Sequence, residues 1–166
     1  MLSNALIQPH FDYACTTWYP PLTIALKKRI QVVQNKCIRF CLELENTAHI
    51  GYKEFEKINW LNSSDRFLQC LCASVFKYFQ GICPEYMSEI FQVAQQSNMT
   101  TRSSYLKLAC PFRKTNMGQK TSSFLGPKEW NKLPMELKLC NTINTFKHKL
   151  KDLFLNFLKS RENNIH

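Results

Sequence analysis

Apolar residues recur along most of this chain at spacings of three and four, the period of helices that present one face to a core. Leu6, Phe11, Ala14, Cys15 and Trp18 define a first packing helix, with Pro9 at its start or at a kink, and Pro20-Pro21 ends it. In the second, Ile30, Val33, Cys37 and Phe40 form the core face, while Lys28, Gln31, Asn35 and Arg39 trace a separate basic face. A short element around Tyr52, Phe55, Ile58 and Trp60 leads to Asn62-Ser63-Ser64-Asp65, a run of capping residues that opens a helix reaching about Gln80, where Gly81 closes it. Along it Phe67, Leu68, Leu71, Cys72, Val75, Phe76 and Phe79 cover more than half the circumference, which marks a central helix enclosed by neighbours. Pro84 starts a shorter amphipathic stretch through Met87, Ile90 and Phe91, with Glu85 at its positive end.

The period then changes. Leu106, Leu108 and Cys110 alternate with Tyr105, Lys107 and Ala109 as a strand would, and Asn116-Met117-Gly118 offers a hairpin turn. Helical spacing returns in Phe124, Leu125, Trp130 and Leu133, capped by Ser122 or Ser123 and stopped by Pro134. A last stripe of Ile143, Phe146, Leu150, Leu153, Phe154 and Phe157 leaves Lys147, Lys149, Lys151 and Lys159 on the remaining arc. These patterns predict a mainly α fold, a multi-helix bundle with a small β-hairpin in the 103–121 region. Residues 1–95 are expected to form a helical subdomain. Residues 96–166 add the basic hairpin segment and the C-terminal helices, within one compact unit.

Charge changes this picture. The 166 residues carry a formal net charge of +10, which favours a polyanionic partner over an acidic small substrate. Residues 90–128 contain no Asp or Glu but do contain Arg102, Lys107, Arg113, Lys114, Lys120 and Lys128. Tyr105 and Phe112 interleave with these cations, a pattern suited to phosphate contacts combined with base stacking. The competing reading is a basic surface loop whose aromatics pack inward, just as Lys28 and Arg39 could belong to an ordinary solvated face. The candidate nucleic-acid-binding residues are Lys28, Arg39, Arg102, Tyr105, Lys107, Phe112, Arg113, Lys114 and Lys120.

Other chemistry finds little support. Eight cysteines occur without a basic and then apolar N-terminal leader, so they read as reduced core residues of an intracellular protein, nuclear or cytoplasmic. The sequons at Asn62 and Asn98 matter only in secretion, and no apolar run is long enough to span a membrane. Cys37 and Cys41 with His49, and Cys70, Cys72 and Cys83, lack zinc-knuckle spacing, so no metal or cofactor is expected. Asp12, Asp65 and Asp152 stand isolated, whereas two-metal phosphoryl transfer needs clustered carboxylates. Pairs such as Glu43 with Glu45 and Glu54 with Glu56 read as solvated faces. The expectation is a chain without catalytic residues or a small-molecule substrate.

Leu6-Ile7-Gln8-Pro9-His10-Phe11-Asp12-Tyr13-Ala14-Cys15-Thr16-Thr17-Trp18-Tyr19-Pro20 resembles the helix that follows the polymerase core in jockey-like non-LTR retrotransposon reverse transcriptases, which are RNA-directed DNA polymerases. Ile30-Gln31-Val32-Val33-Gln34-Asn35-Lys36 resembles that family's next helix, Val75-Phe76-Lys77-Tyr78-Phe79-Gln80-Gly81 its central helix, and Thr101-Arg102 its basic segment. Trp130-Asn131-Lys132-Leu133-Pro134 and Phe146-Lys147 complete the order, while the positions before Asp65-Arg66 and around Gly126-Pro127 depart from it. The family's Tyr-X-Asp-Asp polymerase turn and its endonuclease have no counterpart here. The resemblance therefore implies a non-catalytic C-terminal extension that binds RNA or DNA beside the polymerase. It also implies that the chain is a truncated element copy, a fragmentary gene model or a small gene derived from one. The alternatives are a protein-docking fragment, in which Trp18, Trp130 and the phenylalanine helix pack on an upstream polymerase region, and an inactive remnant of the element.

Overall fold

A computed structural model describes residues 5–94 and 106–163. The described elements are helical: α1 Gln8–Asp12, α2 Cys15–Trp18, α3 Ile24–Cys41, α4 Tyr52–Ile58, α5 Ser63–Phe79, α6 Met87–Ile90, a 3-10 turn Gly118–Lys120, α7 Ser122–Lys132, α8 Met135–Lys138 and α9 Ile143–Asn163. Two compact units emerge. One joins Met1–Phe67 with Leu150–His166, and the other is Leu68–Lys149, so α5 and α9 each contribute to both. Among the described residues no helix is long and apolar enough to cross a membrane.

In the first unit, the single helix expected over Leu6–Trp18 is broken in two. Pro9 lies in the first turn of α1, and Ala14 adopts a left-handed conformation (φ 48°) between α1 and α2. Arg66 holds α1 from α5, its Nε and Nη2 donating to the two Asp12 carboxylate oxygens at 2.7 and 2.5 Å. Thr23 caps α3, its hydroxyl accepting the Leu26 N–H. At α4 the Glu54 carboxylate accepts the Gly51 N–H at 2.9 Å, and the reciprocal half of a capping box is missing because Gly51 has no side chain to return the bond. Ile38, Phe55, Ile58 and Trp60 form the buried core, with Ile7, Leu42, Ile50, Leu155 and Leu158 packed around them.

The orientation of α3 differs from its sequence pattern. Ile38 and Gln34 face inward, while Val33 and Phe40, expected in the core, are exposed. The physical reason is hydrogen bonding by glutamines. The buried Gln34 amide donates to the Leu61 carbonyl at 2.8 Å, and Gln31 Oε1 accepts the Ser63 N–H and hydroxyl at 3.0 and 2.9 Å, so polar residues bind the backbone that leads into α5. Among the described residues Gln34 Oε1 is buried without a hydrogen-bond partner, so these bonds offset only part of the desolvation loss of a polar residue on a core face.

Helix α5 begins and ends as its sequence predicts. Asn62 Oδ1 accepts the Asp65 N–H at 2.8 Å. At the other end Gly81 (φ 67°) closes a Schellman motif, with Ile82 N–H donating to the Lys77 carbonyl and Gly81 N–H to the Tyr78 carbonyl, each at 3.1 Å. In the second unit Leu71, Val75 and Phe76 are buried, Phe76 stacks on Phe146 at 4.6 Å between ring centroids, and Phe79 stacks on Trp130 at 5.3 Å. Helix α7 carries Pro127 in its interior, where proline ordinarily breaks a helix. Thr121, not Ser122 or Ser123, is its N-cap residue, yet its hydroxyl donates to the Gly118 carbonyl at 2.7 Å and makes no cap. Gly126 is required by contact: a Cβ there would lie 2.6 Å from Phe91 Cε1.

The hairpin expected over 103–121 does not form among the described residues 106–121. Leu108 instead makes an isolated antiparallel bridge with Val93, and Asn116-Met117-Gly118 leads into the 3-10 turn. The alternating pattern is real but finds its partner upstream, because Ala94 N–H donates to the Lys107 carbonyl and Ala109 N–H to the Gln92 carbonyl.

Candidate nucleic-acid interface

Trp130-Asn131 positions the acid-free basic segment of the second unit. Leu108 and Val93 form a pair that exchanges no hydrogen bonds of its own, so the Leu108 N–H and C=O point away from Val93. Asn131 meets both. Its Oδ1 accepts the Leu108 N–H at 3.0 Å and its Nδ2 donates to the Leu108 carbonyl at 2.9 Å, replacing the strand that would lie there. Trp130 is fully buried, and its indole N–H donates to the Leu106 carbonyl at 2.8 Å. Two consecutive residues thus pin Leu106 and Leu108, and with Leu108 turned inward Lys107 is exposed.

Beyond Cys110 the backbone runs without regular structure, and Phe112, Arg113 and Lys114 are all exposed, Phe112 by 83%. The following turn supports them. Gln119 Nε2 donates to the Arg113 carbonyl at 3.1 Å, and Gly118 N–H to Thr115 Oγ1 at 3.0 Å. A side chain at Gly118 would crowd Thr115 Oγ1 and the Arg113 side chain, so the turn lies close beneath Arg113. Lys120 is half-buried in the 3-10 turn, and Lys128 stands over the Phe124 ring with its amine 5.7 Å from the centroid.

The predicted residues therefore fall into three groups. Lys107, Phe112, Arg113, Lys114 and Lys120 fall on one stretch of the second unit. Lys28 and Arg39 belong to α3 in the first unit. Lys28 is exposed, but Arg39 is half-buried and its Nε donates to the Ala48 carbonyl at 2.8 Å, a structural use of the guanidinium that the basic-face reading did not anticipate. Arg102 and Tyr105 lie outside the described residues.

Lys138 belongs beside the segment and was not anticipated. Its amine reaches the Asn131 carbonyl at 3.4 Å and lies 5.8 Å from the Trp130 ring centroid. Burial lowers its pKa, the Cys72 thiol opposes that shift, and the positive charge of Lys107 adds to the lowering. The seven-residue separation of Asn131 and Lys138 carries no helical signal because Pro134 interrupts it, so only the folded chain reveals the contact.

A second polar site occurs in the first unit, a cavity of about 320 Å³ lined by Gln8, Asp12, Asn59, Trp60, Arg66 and Lys151. The Lys151 amine donates to the Asn59 carbonyl at 2.6 Å and also contacts the Asn59 side-chain oxygen. Burial first, then the nearby Arg66 charge, lowers the Lys151 pKa, while Asp152 acts in the opposite direction. The sequence pattern places Lys151 on the arc of the last helix left by its apolar stripe, with no partner assigned.

Cys37, Cys41, Cys72, Cys83, Cys110 and Cys140 are free thiols; Cys72 and Cys140 are buried and Cys110 is exposed. Among the described residues no group of three or more His, Cys, Asp or Glu side chains could hold a metal ion. No family model, curated protein or solved structure matches this chain.

Proposed function

We infer that this chain is a non-catalytic nucleic-acid-binding module, related to the C-terminal extension of jockey-like non-LTR retrotransposon reverse transcriptases, that holds RNA or DNA beside a polymerase. The observation that carries this reading is the exposure of Phe112 next to Arg113 and Lys114 in a stretch without acidic residues. An aromatic packed inward would have favoured a plain basic loop. An exposed ring flanked by cations supports stacking on a base while the cations meet the adjoining phosphates, as on single-strand platforms. The order of family-like sequence blocks supports the same reading. Its working compartment is the nucleus or cytoplasm, where element RNA and chromosomal target are found.

Filter binding over a salt series tests it. Binding to single strands should weaken steeply with salt, with a log-log slope of about −0.7 per phosphate contact. Replacing Lys107, Arg113, Lys114 and Lys120 together by Glu should abolish it, and Phe112→Ala should weaken it by about 1–3 kcal/mol if the ring stacks on a base. Unchanged affinity in the fourfold variant, or affinity insensitive to salt, overturns the assignment. Competition between matched RNA and DNA strands establishes the preferred sugar. No primer extension is expected with Mg²⁺ or Mn²⁺.

Of the two tryptophans in the docking alternative, Trp130 is buried in the core of its own unit and so lends that alternative no support. A specific observation favours protein contact elsewhere, on α3.

A further inference from the structure

With Gln34 and Ile38 turned inward, α3 presents apolar residues to solvent. Leu26, Val33 and Phe40 are 41%, 52% and 83% exposed. They are seven residues apart, so they follow nearly one line along the helix at intervals of about 10.5 Å. Arg29 and Lys36, also seven apart and exposed, run beside that row. Between Ile24 and Cys41 there are five cations and no acidic residue.

We propose that this face of α3 docks an amphipathic helix of a partner protein, one that carries its own heptad-spaced apolar row bordered by Glu or Asp. The heptad row sets the geometry, since side chains at this repeat interlock with those of a second helix. The cation row sets the charge of the partner. A second copy of α3 would bring Arg29 and Lys36 against the same residues, an arrangement opposed by like charge. A phosphate backbone would satisfy the cations but leave Leu26 and Val33 in water. An anionic bilayer favours a broad continuous apolar face, whereas Arg29 and Lys36 separate this row from exposed Val32, and exposed Ile24 lies off the row at the start of the helix. The proposal is independent of the nucleic-acid reading, which rests on residues of the other unit.

The test uses the full chain and a fluorescent synthetic peptide of three heptads with Leu at the seam and Glu on both borders. Companion peptides replace every Glu by Lys, or every Leu by Ser. The Glu peptide should bind and both companions should fail. Phe40→Ser should weaken binding about tenfold or more, as for an exposed anchor residue. Arg29→Glu with Lys36→Glu should transfer binding to the Lys peptide. Circular dichroism and the thermal midpoint should stay unchanged in these variants, because the altered side chains are exposed, which separates loss of docking from loss of fold. Failure of the Glu peptide to bind overturns the proposal, as does affinity unchanged by Phe40→Ser. So does self-association in sedimentation that Phe40→Ser abolishes, or binding to phosphatidylserine vesicles without binding to the peptide.

Discussion

Asn131→Ala is the most direct test of how the basic segment is held. The substitution removes both amide bonds to Leu108, at 3.0 and 2.9 Å, from a residue only 1% exposed. Each hydrogen bond contributes about 1 kcal/mol net, and a buried backbone group left without a partner costs about 1–3 kcal/mol, so the expected loss is about 2–4 kcal/mol after water enters the vacated space. That is a large part of the roughly 5–15 kcal/mol that stabilises an ordinary domain. Urea denaturation should show the loss as a lower midpoint, and amide hydrogen exchange should show the Leu108 N–H losing protection before the amides of α5 do. Asn131→Asp refines the test. The introduced carboxyl keeps an acceptor for the Leu108 N–H but, when ionised, turns a second oxygen toward the Leu108 carbonyl. Only its neutral form can donate there, so its folded pKa should lie above the usual aspartate value and the variant should regain stability as pH falls through that folded pKa. A loss below about 0.5 kcal/mol for Asn131→Ala, or unchanged Leu108 protection, would refute the clamp.

Three further outcomes follow from the structure. Gly126→Ala should destabilise the second unit by about 1–3 kcal/mol in urea denaturation, because the new methyl group meets Phe91 at 2.6 Å in a filled core. Asp65 has its pKa raised, chiefly by burial and against the opposing Asn62 hydrogen bond and Arg161 charge. The folded state therefore holds that proton more tightly, stability rises as pH falls through the window just above the ordinary aspartate range, and a pH titration of the denaturation midpoint should lose that contribution in Asp65→Asn. Under native conditions a thiol reagent followed by mass spectrometry should modify exposed Cys110 first and Cys72 last, since burial, aided by Glu129, pushes the Cys72 thiol up to about 12.

The sequence was most legible where one local rule decides the outcome. The α5 boundaries follow from Asn62 and Gly81, whose roles depend on a single turn of backbone, and its wide apolar face needs no knowledge of neighbours. It misled where side chains act over distance. Gln34 and Gln31 are polar by any hydropathy measure, but their partners Leu61 and Ser63 lie about thirty residues away, and those bonds rotate α3 so that Phe40 faces water. Alternation at Leu106 to Cys110 indicated an extended segment but not its partner, which proved to be Val93 and the Asn131 amide in place of a hairpin strand. The basic segment was visible as a run of charge. Trp130-Asn131 was visible as a motif, but its hold on Leu106 and Leu108 depended on a contact spanning more than twenty residues.

The first unit gathers its core from both ends of the sequence: Leu155 and Leu158 pack with Ile38, Phe55, Ile58 and Trp60, while residues 68–149 intervene. Closing a connection of about 80 residues costs about 4 kcal/mol in chain entropy, which must be met before these two leucines can repay it. On the ribosome the opening helices therefore emerge long before their finishing residues, and wait with Ile38 and Phe55 only partly covered. A premature stop in α9 would then do its main damage to residues made well before it, leaving Ile38 and Phe55 in an unfinished core open to a chaperone.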